Sequence, residues 1–75
     1  MGLVWRTGYG AYFADGRSRA YMVVKNHDFG WQALHAEPGA CQRHGEWTPI
    51  RGSLSADAGA ARIRAERFES SDPDY

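Results

Sequence analysis

The residue types best suited to chemistry lie mid-chain. His35, Cys41 and His44 form a His-x5-Cys-x2-His run, with His27 upstream. Zinc takes such nitrogen and sulfur donors tetrahedrally, and a small domain gains folding energy from the metal. Strong zinc signals pair ligands at both ends, whereas this run offers a lone Cys-x2-His. Cys41 and His44 are also the types of a thiolate nucleophile and its base. Nothing in the pattern orients that histidine or supplies an oxyanion hole, and the chain is too short for a substantial pocket. Asp15, Asp28 and Glu37 fall among turn residues, where they serve the backbone. Gly8-Tyr9-Gly10 lacks the third glycine of a dinucleotide-binding loop. The expectation is a non-enzyme with no catalytic residue, no metal and no cofactor.

Positive charge is the second possible chemistry. Nine Lys and Arg balance nine Asp and Glu, and a net charge of zero argues against a general polyanion binder. The distribution is uneven. Glu69, Asp72 and Asp74 close the chain, so residues 1–68 hold nine basic against six acidic groups, a net of +3. Arg62, Arg64 and Arg67 flank the apolar stripe of the predicted helix, where they can track a phosphate backbone or simply cover apolar edges with their stems. On the central strand, alternation puts Arg19, Tyr21, Val23 and Lys25 on one face and Ala20, Met22 and Val24 on the other. The expectation places Met22 and Val24 under the helix and Tyr21 and Val23 on the open face. Aromatic rings bracketed by basic residues stack bases and hold phosphates; the competing reading makes the same rings part of a thin core. Tyr9, Tyr12, Phe13 and Trp31 add to one face or the other.

Several elements position these residues. At 75 residues and 43% hydrophobic content the chain is one small folded domain, residues 1–69, followed by a polar, acidic tail, 70–75, read as disordered. One cysteine excludes an internal disulfide. No basic start with an apolar run marks a signal peptide, and no run of apolar residues is long enough to cross a bilayer. These features predict a cytoplasmic protein that does not engage a membrane. Ala11–Ala14, Arg19–Lys25 and Trp31–Ala36 read as strands separated by Asp15-Gly16-Arg17-Ser18 and Asn26–Gly30 turns. Met1–Gly10 reads as a short extended segment. Residues 40–52 allow a fourth strand near Trp47–Arg51, which Pro49 would confine to an edge. Leu54, Ala58, Ala61, Ala65 and Phe68 make one apolar helical stripe, capped by Ser53 or Ser55, with Asp57 in the first turn and an end near Glu69. The fold class is α+β, a three- to four-stranded antiparallel meander with one C-terminal helix packed on one face.

The order of a Tyr-rich strand, an Asp-Gly turn, a strand ending Val-Val-Lys, a Gly-Trp-x-Ala-Leu strand and a Gly-Ser-Leu lead into an alanine-rich helix is similar to small proteins of high-GC bacteria and their phages. Over roughly residues 9–68 it distantly resembles the three-stranded-sheet-plus-helix DNA-binding domains of ethylene-response factors and integrase arm-binding domains. That resemblance implies a sheet face entering the major groove, with Arg17, Arg19, Lys25 and Trp31 as counterparts of the reading residues. Eight arginines against one lysine, with eleven alanines, fit high-GC coding.

Two functions from different classes follow. The first is a non-enzymatic protein-interaction module, such as a phage-encoded modulator of a host protein. Ile63 lies about 180° from Leu54 on the helix; with Ala60 beside it, and with Trp47 in the loop, it is the candidate contact. A homodimer burying Ile63 is a variant of this reading. The alternative is a nucleic-acid-binding domain using Arg17, Arg19, Tyr21 and Lys25 on the sheet and Arg62, Arg64 and Arg67 on the helix.

Overall fold

The computed structural model describes residues 3–17, 19–26, 30–40 and 46–70. Five strands run β1 (Arg6–Gly8), β2 (Ala11–Asp15), β3 (Ala20–Lys25), β4 (Trp31–Ala36) and β5 (Thr48–Pro49), followed by α1 (Ala58–Ser70). The strands form one antiparallel sheet in sequence order, a meander with a C-terminal helix. The fold is α+β. It has one strand more than the sequence suggests, because the extended opening pairs with β2 as β1. The edge strand falls inside 47–51, with Pro49 outermost.

The turns set the register. Tyr9 and Gly10 both have positive φ, 51° and 75°, as a two-residue type I′ hairpin requires. The next turn is closed by Gly16 N–H donating to Arg19 O at 2.8 Å. β2 therefore runs through Asp15, one residue beyond its expected end. Asn26 N–H donates to Gly30 O at 2.7 Å across the third turn. At Gly30, φ is 60° and a Cβ would run into the Ser55 carbonyl, so glycine is required there.

These closures determine which way each backbone group points. In an antiparallel ladder hydrogen-bonded and non-hydrogen-bonded pairs alternate. Counting from Gly16–Arg19, the N–H and C=O of Ala14 and Tyr12 face β3, while those of Phe13 and Ala11 face β1. On β4, Trp31, Ala33 and His35 are left pointing away from β3. That outer edge is sealed. Trp31 and Ser55 exchange backbone hydrogen bonds of 2.7 Å in both directions, and Ile50 N–H donates to Ala33 O at 2.9 Å. Ala33 N–H has no backbone acceptor and donates instead to Ser53 Oγ at 3.2 Å. The single proton of that hydroxyl faces two carbonyl oxygens, Ile50 O at 2.6 Å and Ala33 O at 3.0 Å. Ser53 is wholly buried and acts as a missing rung of the ladder.

The helix covers one face only. Tyr21, Val23, Ala33, Ile50, Ala61 and Ala65 form the core, with Leu3, Trp5, Tyr12, Trp31, Ala58 and Phe68 around it. This inverts the expected faces: Tyr21 and Val23 lie under the helix at 0% exposure, and Met22 and Val24 lie on the open side. β3 is apolar on both faces, so alternation alone cannot choose between them. The choice comes from the Tyr21 hydroxyl, which has a buried acceptor on the helix, as described below.

The apolar stripe holds from Ala58 to Phe68, and the alanines at its centre bring α1 close over β3 and β4. Leu54 is not part of it. Ser53 and Ser55 are engaged in sealing β4, so the helix begins later, with Asp57 as its cap: Asp57 Oδ1 accepts from Ala60 N–H at 2.8 Å. Leu54 is left exposed before the helix. The helix ends at Ser70, one residue past the expected end; the rest of the acidic tail, 71–75, lies outside the described residues.

Ser53→Ala strands the buried Ala33 N–H without an acceptor. Urea unfolding is expected to show a loss of about 1–3 kcal/mol, against a few tenths for Ser70→Ala at the exposed helix end.

Candidate functional site

One row crosses the open face of the sheet from edge to edge: Arg6 opposite Phe13, Phe13 opposite Met22, Met22 opposite Leu34, Leu34 opposite Pro49. Val24 and Gln32 form a further pair on the same face, and Ala20 and Ala36 a third. Phe13, Met22, Val24 and Leu34 are half-buried, although no helix lies over them. Among the described residues Trp47 covers the end of the face, where it packs with Ala20, Ala36 and Ala40. The charges on this face sit at its β1–β2 border, where Arg6 Nη2 lies 3.2 Å from Asp15 Oδ2. Between Phe13 and Leu34 there is no charged side chain among the described residues. Such a surface offers apolar area without phosphate-binding charge.

The basic residues are used on the other side. Tyr21 OH donates to Glu69 Oε1 at 2.8 Å. Arg17 donates to Glu69 through its backbone N–H, 2.8 Å from Oε2, with its guanidinium Nε 3.4 Å from the same oxygen and Nη2 donating to Glu69 O. Arg19 Nη1 donates to His35 Nδ1 at 3.1 Å, which assigns His35 the neutral tautomer protonated at Nε2. The Arg19 guanidinium and the His35 ring both lie against Phe68, at 5.3 and 4.9 Å. Arg62 stands 4.7 Å over the Tyr12 ring, and its buried Nε has no hydrogen-bond acceptor.

The structure therefore separates the nucleic-acid candidates. Tyr21 is core, Arg17 and Arg19 tie the sheet to the helix, Arg62 caps the core, and Lys25 lies at the exposed end of β3 on the helix side. Trp31 also faces the helix side, packed 5.9 Å from Tyr12. The open sheet face that the DNA-reading resemblance implies thus carries none of these side chains. Arg64 and Arg67 are exposed on α1. The protein-contact candidates are divided too. Ile63 is 53% exposed on the outer side of α1 and Ala60 is half-buried nearby, whereas Trp47 belongs to the opposite side of the sheet. They do not form one surface.

Of the metal candidates, His35 is engaged as above, and His27, Cys41 and His44 lie outside the described residues. Among the described residues no three His, Cys, Asp or Glu side chains cluster as a metal site. No helix among them is long and apolar enough to cross a membrane.

The chain also has a cleft that its length did not suggest. An open groove of about 660 Å³ lies between Leu3 and Val4 on one side and Arg17 and Glu69 on the other. Its carboxylates are engaged: Asp15 is paired with Arg6, and both oxygens of Glu69 accept hydrogen bonds.

Glu69, read from sequence as part of the acidic end, is 9% exposed and joins helix to sheet. Burial by itself raises its pKa. The Arg17 N–H, the Tyr21 hydroxyl and the Arg17 charge outweigh that and hold it below the ordinary 4.5. The sequence does carry a signal for this role, since an acidic residue at a helix C-terminus opposes the dipole and needs a local compensation.

No protein-family model, curated protein or solved structure matches this chain.

A carboxylate with a depressed folded pKa stabilises the fold fully above its unfolded value near 4.5 and loses that contribution as pH falls through the lowered folded value. Wild type minus Glu69→Gln, followed by urea unfolding across acidic pH, is expected to show a stability difference that is largest at neutral pH and shrinks on acidification. Tyr21→Phe at pH 7 is expected to cost about 1.5–3 kcal/mol, the usual range for a hydrogen bond to a charged group.

Proposed function

We propose that this chain is a non-enzymatic protein-interaction module, and that its contact surface is the open face of the sheet. One observation carries the reading: Phe13, Met22, Val24 and Leu34 form an uncharged apolar surface that the single helix leaves uncovered. In a small domain with so little apolar area to bury, a second apolar face suits a partner that presents an apolar surface of its own. The contact moves from the helix to the sheet, because Ile63 is a lone exposed apolar residue and such residues are ordinary on soluble proteins. A modulator that occupies a host protein's surface is one form this module takes. The nucleic-acid alternative keeps only Arg64 and Arg67 as outward basic residues of the helix.

The test is capture from a high-GC bacterial lysate, with and without nuclease, by wild type and by the pair Met22→Glu with Leu34→Lys. These two residues are cross-strand partners, so the substitutions place opposite charges together and spare the sheet. Recovery of a defined protein is expected to survive nuclease and to fall at least tenfold in the open-face pair, with Arg64→Ala and Arg67→Ala unchanged. Recovery that nuclease abolishes, or that ignores the open-face substitutions, overturns the reading.

A further inference from the structure

We propose that β1 is a pairing edge at which a second copy of this chain adds its own β1 antiparallel, joining two five-stranded sheets into one. The argument rests on the sheet edge and not on the open-face reading above. The two edges of the sheet are treated differently. Beyond β4 the outward residues meet partners, Trp31 at Ser55, Ala33 at Ile50 and the Ser53 hydroxyl, and His35 at Thr48, and Pro49 stands on the outermost strand. β1 has no such cover. Gly8 and Ala11 flank the two-residue turn as a hydrogen-bonded pair, and so do Arg6 and Phe13 two rungs on. The N–H and C=O of Thr7 therefore point away from β2, and continuing the alternation those of Trp5 do too. No partner exists for either among the described residues. Natural edges are blunted by a very short strand, by proline, by charged side chains or by a bulge; β1 is short, three residues, but extended chain precedes it. Leu3–Gly8 contains no proline, and its one charge, Arg6, is neutralised by Asp15.

The same strand fits itself. Antiparallel pairing of outward groups allows a register with Trp5 opposite the partner's Trp5, which sets Thr7 opposite the partner's Leu3 and Val4 opposite the partner's Arg6. Val4 is 81% exposed and gains the aliphatic stem of that arginine as cover. The neighbouring register opposes Arg6 to the partner's Arg6 and is disfavoured by like charge. Space permits the assembly. The helix backbone lies over β3 and β4, and toward β1 and β2 it sends only side chains, Glu66 accepting from Trp5 Nε1 at 3.1 Å and Arg62 lying over Tyr12. In the joined sheet the two copies of β3 are about 24 Å apart, five strand spacings, against a helix diameter of about 10–12 Å. A strand-edge contact belongs to the small, transient class of interfaces, so the dimer forms as concentration rises.

The test is sedimentation velocity of the whole chain across a wide concentration series. Wild type is expected to shift from monomer to dimer. Thr7→Pro removes an N–H that points outward, leaves the β1–β2 ladder intact, and is expected to weaken association by about tenfold or more. Val4→Arg, facing the partner's Arg6, is expected to weaken it as well, and Val4→Glu to strengthen it; these two decide the matter if Thr7→Pro fails to fold. The open-face pair Met22→Glu with Leu34→Lys is expected to dimerise as wild type, so that failure of this proposal and failure of the open-face reading are told apart. A chain that stays monomeric at every concentration overturns the proposal. So does a dimer indifferent to Thr7→Pro and to charge at Val4.

Discussion

The buried Glu69 carboxylate is the contact on which the arrangement of this domain depends. It stands at the end of α1 where the helix dipole disfavours a negative charge, and where burial disfavours it further. Its hydrogen bonds come from two places in the sheet, the Tyr21 hydroxyl on β3 and the backbone of Arg17 in the β2–β3 turn. Together they fix the helix over β3 and β4 and decide which face of β3 is core. Gly16 is part of the same arrangement, since a Cβ there would meet both the Glu69 carboxylate and the Tyr21 ring.

Once the helix is placed, the remaining surfaces follow by subtraction. A single helix cannot cover both faces of a five-stranded sheet, and the face it leaves is the one bearing Phe13, Met22, Val24 and Leu34. The segment between β5 and the helix has a different task. Ser53 and Ser55 close the outer edge of β4, the one by a side chain and the other by its backbone. β1, at the far edge, has no comparable closure. The result, among the described residues, is a domain with one face under the helix and one edge closed, and with an apolar face and a polar edge that lack such cover.

The basic residues show why composition is a poor guide to partners in a chain this small. Arg17, Arg19 and Arg62 all read as candidates for phosphate contact, yet each lies against an acceptor or a ring of its own domain. Arginine stems and guanidinium planes substitute here for the aliphatic side chains that a larger core would supply.

Much of the fold was legible in the sequence. Asp-Gly and Gly-rich turns between runs of apolar and β-branched residues determined the meander, and the spacing of Ala58, Ala61, Ala65 and Phe68 determined the buried side of the helix. These signals are local, set by backbone dihedrals and by a period of two or 3.6 residues. Three matters were decided only by tertiary structure. The choice of face needed the Tyr21–Glu69 contact, because Ala20–Lys25 is apolar on both sides. The start of the helix needed the strand edge, because a serine that can cap a helix can equally replace a rung of a ladder, and Ser53 is drawn to the buried N–H of Ala33. The fifth strand needed the hairpin at Tyr9–Gly10, whose left-handed tyrosine is uncommon in such a turn. In the first two cases a residue had two competent local uses, and the partner that selected one lay far along the chain.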